Sequence, residues 1–358
     1  MELLKRASEN WGNIIVLTLL ECNVRAMLEA MFSLVSSVFV SVLLCAGSGA
    51  HAHKAAAAAA APASHAAVPA GPRGICGDVE RSVTWKGPLL RLRGSLRIPK
   101  DKELWLEAGT RVQIPPSDSC RPGGGPVEIV VEGRLVVEGN AWQPVLFEPE
   151  SGFWAGIRVL GSVRMDYARI ATADRGLWFH GGDGEVRSTL ISGCVIGVRT
   201  TGGATPRLSN LLITHSLAAG LRVETASPRV EGCLFVDNRG VGAWFAGTGL
   251  TNLSRNAFWN NLLGDVQGSG QWGNFRSKKG LLVDAHDNLR CDPVFAGSPR
   301  DLAWKDSLRA AMRRPPDPPF GMSPYSLSTL SPLRGKGPRL PGKPWKKSDI
   351  GLYGLDAD

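Results

Sequence analysis

A self-similar stretch with a period near 22 residues constrains this chain more than any other feature. Five segments align: ARIATADRGLWF, TLISGCVIGVRT, LLITHSLAAGLRV, CLFVDNRGVGAWF and NAFWNNLLGDV. Each carries a large apolar residue, a small or polar residue three positions later, and then a glycine. The apolar anchors Ile170, Ile191, Ile213, Phe235 and Phe258 stand 21, 22, 22 and 23 positions apart. The glycines Gly176, Gly197, Gly220, Gly242 and Gly264 stand 21, 23, 22 and 22 apart. Leucine-rich repeats share this period but need a Leu-x-x-Leu-x-Leu frame, which is missing. Helical repeats need about 33 residues or more per unit. A coil of three short strands uses about 22 residues and stacks on its neighbours about 4.8 Å away. The expected fold is therefore all-β, a parallel β-helix. The third position of each frame agrees: Ala173, Cys194, Ser216, Asn238 and Asn261 suit a tight turn, and stacked Asn side chains can bond from coil to coil.

Weaker coils precede the clean ones. The run EGRLVVEGNAWQPVLFEPESGFWAGIRV resembles the first coils of exported bacterial right-handed parallel β-helix repeat proteins, which share the pectin-lyase-like fold. CDPVFAG, YSLSTLSPLRGKG and SDIGLYG are similar to the tails that close such proteins. The resemblance spans roughly residues 90–355 and implies a right-handed coil. It leaves the activity open, because the fold hosts lyases, hydrolases, epimerases, adhesins and structural proteins.

The remainder divides around that core. Residues 31–46 are apolar and uncharged, the length of a signal h-region and short of the ~20 residues of a spanning helix. Ala50, His51 and Ala52 fit the small-x-small rule, so cleavage after Ala52 is expected, with Met27 or Met31 as alternative starts and a retained anchor as the other reading. Residues 1–52 thus form a leader, 53–74 an Ala/Pro-rich linker, 75–290 the β-helix and 291–358 a basic Pro-rich cap. No transmembrane span is expected after cleavage. Export to the periplasm, cell surface or medium permits disulfides, and Cys76 with Cys120, bracketing the first strands, is the expected pair.

Period-2 alternation assigns faces. Ala168, Thr189, Leu211, Cys233 and Asn256 should point inward with the anchors, which makes Cys233 a buried small hydrophobe. Arg169, Leu190, Leu212, Leu234 and Ala257 should point outward. That leucine ladder calls for a cover, either the C-terminal tail or, for an adhesion or assembly protein, a partner or second copy. After each glycine, Trp178, Arg199, Arg222 and Trp244 should form an outward column. Indole faces stack on sugars and guanidinium forks pair with carboxylates, so this strip is the expected ligand site, with an acidic polysaccharide or envelope glycan as the partner. Arg164, Glu185, Arg207, Arg229 and Asn252 form a third column.

Catalytic signals are thin. His180, Asp183 and Glu185 share the loop FHGGDGE, with Asp174 as a further neighbour. His215 and Asp237 lie one coil apart. Asp284 and Asp287 are the best candidates for a calcium ion, although no cofactor is expected. Within residues 75–290 there is no Asp-Asp or Asp-x-Asp pair of the kind that the resemblance implies for hydrolases of this fold. The leading expectation is therefore a non-catalytic protein that binds carbohydrate or builds envelope structure, with a polysaccharide lyase or glycoside hydrolase as the alternative. Net charge is +9 overall, and residues 299–347 carry 11 cations against 3 carboxylates. Nucleic acid is not the expected partner, given export and the lack of a recognised module.

Overall fold

The computed structural model describes residues 66–67, 74–246, 252–268, 275–276, 282–296, 325–340 and 343–352. The leader, its cleavage site and most of the linker lie outside them. The coils form a parallel β-helix with three faces. The first face is a nine-stranded parallel sheet that includes Arg134–Glu138, Ser162–Asp166, Asp183–Arg187, Arg207–Ser209 and Arg229–Glu231. Its outermost strand, Ala66–Ala67, lies within the expected linker and pairs with Val83 and Thr84. The second face includes Ala168–Ala171, Leu190–Ser192, Leu212–Thr214, Leu234–Val236 and Ala257–Trp259. The third includes Trp154–Val159, Ala173–His180, Ile196–Thr201, Ala219–Glu224 and Val241–Ala246.

The repeat anchors stack in register inside the coil: Ile170 on Ile191, Ile213, Phe235 and Phe258. All five are buried, and the last two rings lie parallel at 4.9 Å. Two of the corners need only one residue with positive φ. Ser188, Asn210 and Arg255 hold that place between the first and second faces, and Thr172, His215, Asp237 and Asn260 hold it between the second and third. Polar residues are enriched there because Asn, Asp and His tolerate the left-handed region better than branched apolar ones.

The repeat glycines have a steric cause. A Cβ on Gly176, Gly197 or Gly220 would stand 2.5–2.6 Å from the carbonyl oxygen of the glycine one coil on. Gly264 is different. Ala243 pairs with Val266, so Asp265, not Gly264, occupies that column, and Gly264 instead adopts φ 113° beside open space. The Asn ladder is present: Asn238 receives the Ser216 N–H at 2.9 Å and donates to Asn261 at 2.8 Å. A second ladder runs through Cys233, Asn256 and Asn288, the last capped by Asp284. Cys233 is fully buried, and burial pushes its thiol up to about 12.

The leucine ladder is not exposed, which corrects the adhesion reading built on it. Leu190, Leu212 and Leu234 do point outward, yet each retains at most 1 % exposure. They belong to a second apolar core with Leu333, Ile350 and Leu352 of the tail. The tail is fastened by polar contacts as well. Asn210 Nδ2 donates to the Asp349 carbonyl at 3.1 Å, and the Gly351 N–H donates to Gly232 O at 2.9 Å. At the other end a Cys76–Cys120 disulfide ties an insertion to the strand Ile75–Asp78. Asp118 organises that insertion by accepting the N–H groups of Ser95 and Cys120, each at 3.0 Å. Burial opposes its charge, but hydrogen bonds from Ser95, Cys120 and Arg121 outweigh burial and hold the carboxyl below its ordinary value.

Candidate functional site

On the third face the outward column runs Arg158, Trp178, Arg199, Arg222, Trp244 in direct register. Trp178 and Trp244 are half-buried. The guanidinium of Arg175 lies 4.6 Å from the Trp178 ring centre, that of Arg199 5.4 Å and that of Arg158 5.7 Å. Arg222 lies 5.0 Å from Trp244. Each of these cations also has a close carboxylate. Arg158 reaches Glu128 at 2.8 Å, and Arg175 reaches Asp174 at 2.8 Å. Arg199 reaches Glu224 at 2.7 Å, and Arg222 reaches the other oxygen of Glu224 at 2.6 Å. The column is thus a cation–π stack paired from within, with Glu224 shared by two arginines. An external carboxylate would have to displace Glu224 or Glu128 to use those forks.

The first face differs. Arg164, Glu185, Arg207 and Arg229 follow one another in register. With Arg134, Ser162, Thr205 and Asp183, the first three line an open depression of about 520 Å³. Its cations are loosely held. Arg134 is 3.5 Å from Glu103, and Arg164 is 3.6 Å from Asp166. Asp166 is already clamped by Arg187 through two bonds of 2.6 and 3.0 Å. Arg229 is 3.4 Å from Glu231, whose carboxylate receives Arg255 Nε at 2.9 Å. Arg207 holds no ion pair among the described residues. Arg164, Arg207 and Arg229 are exposed. On this face Arg207 has no ion pair among the described residues and the contacts of Arg134, Arg164 and Arg229 are long, while Asp183 and Glu185 stand among them.

The four expected catalytic candidates do not converge. Asp183 and Glu185 share the depression, where Asp183 accepts the Thr205 hydroxyl at 3.1 Å. His180 stands on the third face with Nδ1 2.9 Å from the Thr201 hydroxyl, and Asp174 is paired with Arg175. His215 and Asp237 occupy successive corners but serve different partners, the Thr214 hydroxyl and the Asn260 amide. Asp284 turns its carboxylate inward, accepting His286 N at 2.8 Å and Asn288 N at 2.9 Å, whereas Asp287 is exposed. Among the described residues no group of three or more His, Cys, Asp or Glu is placed to hold a metal ion.

Residues 151–288 match the family model described as right handed beta helix region. The chain carries a right-handed β-helix. Its geometry is consistent with the pectin-lyase-like fold. No curated protein and no solved structure matches the chain. The β-helix also places residues at the depression that the sequence did not single out. Arg134 pairs with Ser162, a step of 162 − 134 = 28 positions that a search at period 22 passes over. Thr205 lies in the turn after the third face, where the repeat has no fixed frame. Counting back one longer coil from Ser162 would have found Arg134.

Proposed function

We propose that this β-helix is a non-catalytic, exported scaffold that binds an acidic polysaccharide along its first face. One observation carries the reading. Arg134, Arg164 and Arg207 line an open depression, with Arg229 on the next rung, and their guanidinium forks have weak or no ion-pair partners. Forks of this kind recognise carboxylates in bidentate fashion. Adjacent rungs are about 4.8 Å apart, so Arg164, Arg207 and Arg229 offer cations to an extended polymer at a step of two rungs and then one, with Glu185 on the rung between the first two. The third-face strip is the weaker site, since its forks are already paired. The test is affinity electrophoresis of the protein through gels containing polygalacturonate, alginate or neutral dextran. Retardation by the polyuronates alone, lost in Arg164→Ala/Arg207→Ala and kept in Trp178→Ala/Trp244→Ala, is the expected result. Loss in the tryptophan variant and not in the arginine variant would move the site to the third face.

A hydrolase reading has one observation in its favour. Asp183 and Glu185 stand two residues apart on one strand and line the same depression. The strand rise puts their Cα atoms about 7 Å apart on one side of the strand, a placement from which two carboxylates can flank one bond as glycosidases require. Reducing-end release from polygalacturonate that vanishes in Asp183→Asn, while retardation persists, would establish it.

A further inference from the structure

The tail that covers the leucine ladder also carries the densest run of cations among the described residues. Arg339–Leu340 and Lys343–Lys347 form an antiparallel hairpin in which Arg339 sits directly opposite Lys347. Like charges at directly opposed positions weaken a strand pair, so local stability does not account for this pairing. Residues 334–349 hold Arg334, Lys336, Arg339, Lys343, Lys346 and Lys347 against Asp349 alone, a balance of 6 − 1 = +5. Arg334, Lys336, Arg339 and Lys347 are exposed.

The hairpin does not trail from the body. Gly337 N–H donates to Ser348 O and Ser348 N–H to Pro338 O, each at 2.8 Å, closing its base. Pro338 packs against the corner at Gly232, and Asp349 and Gly351 are held by Asn210. Arg334, Lys336, Arg339 and Lys347 are therefore presented at a fixed place on the flank of the solenoid.

Their chemistry differs from that of the first face. The column there is made of arginines, whose forks fit shaped carboxylate acceptors. The hairpin is mostly lysine, a compact hydrated point charge that answers to charge density and not to acceptor geometry. Its strand sequence KPWKK also sets a tryptophan among the lysines, and tryptophan is enriched at membrane–water interfaces. We propose that the hairpin is a docking tab for an anionic lipid surface, with phosphate headgroups as its partners. This contact is separate from polysaccharide binding on the first face.

The test is sedimentation of the full chain with vesicles of phosphatidylglycerol and phosphatidylcholine, against vesicles of phosphatidylcholine alone. The variant is Lys336→Glu/Arg339→Glu/Lys347→Glu. A control with the same charge change, Arg81→Glu/Lys100→Glu/Arg121→Glu, alters three exposed cations on the first coils. At physiological salt the hairpin variant should lose roughly a hundredfold in affinity for the anionic vesicles. The control should lose less than a tenth of that factor, and the neutral Lys336→Gln/Arg339→Gln/Lys347→Gln variant should fall between. Circular dichroism melts of all variants should match the parent. Equal losses in the hairpin variant and the control would overturn the proposal, because net charge alone would then explain binding. So would parent binding that ignores phosphatidylglycerol, or inorganic polyphosphate releasing the protein from vesicles while the hairpin variant binds as the parent does. Retention in polyuronate gels by the same hairpin variant reports on the first face independently.

Discussion

Truncating the leucine ladder separates a covered face from a bare one. Leu234 points outward from its strand but is 1 % exposed, and a methyl added to Gly351 of the tail would stand 3.7 Å from its Cδ2. Under cover, Leu234→Ala removes three buried carbons and leaves a cavity between the sheet and the tail, which costs about 2–5 kcal/mol. On a bare face the same change would cost less than about 0.5 kcal/mol. The two cases therefore differ by several-fold in the measured quantity. Ile350, fully buried in the same apolar cluster, supplies the partner. Urea unfolding of Leu234→Ala, Ile350→Ala and the double variant should give a coupling near 1 kcal/mol, since residues that share one cavity are not additive. A Leu234→Ala cost below about 0.5 kcal/mol, or strict additivity with Ile350→Ala, would refute the second core.

Three further perturbations follow from the same packing. Asn238→Ala should cost at least about 2 kcal/mol in urea unfolding, because it strands the buried Ser216 N–H and the Ile213 carbonyl that the amide serves. Gly197→Ala should cost about 1–3 kcal/mol, read as a lowered melting temperature, since its methyl would meet the Gly220 carbonyl at 2.5 Å; the same melt in Gly203→Ala, where nothing lies within 4 Å, reports on φ strain alone. Reducing Cys76–Cys120, which closes a 44-residue separation, should remove about 4 kcal/mol by loop entropy, read as a lower urea midpoint with reductant. The Asp118 carboxyl is lower in the folded state than in the unfolded chain, so its contribution is full above the unfolded value near pH 4 and is lost as pH falls below it; Asp118→Asn should flatten the acid limb of the stability profile, and an unchanged limb would clear Asp118 of that role.

How much of this was legible depends on what a repeat can encode. The inward anchors, the glycine column and the Asn ladder were readable because each must recur once per coil at the same place. The direction of Leu190, Leu212 and Leu234 was readable for the same reason, and so was their need of a cover, with the C-terminal tail as one candidate, but the residues that make the cover were not. These are Leu333, Ile350 and Leu352, which return to the coil from about a hundred positions away without any repeat to announce them. Gly264 was misplaced by one position, since spacing alone cannot tell a glycine needed for close approach from one needed for positive φ. The outward column of Trp178, Arg199, Arg222 and Trp244 was found, but not the carboxylates that pair with it. Glu224 follows Arg222 by two residues and faces the same way, so period-2 reading could have paired them. The depression was missed for the opposite reason: Arg134 enters it from a coil longer than the repeat.

The most direct test of first-face binding is hydrogen–deuterium exchange of the protein with and without polygalacturonate. Added protection should appear in Ser162–Asp166, Asp183–Arg187 and the turn before Arg207–Ser209, and should be absent from Ala173–His180 and Ile196–Thr201. Protection confined to the last two strands, or none anywhere at concentrations that retard the protein in gels, would contradict it.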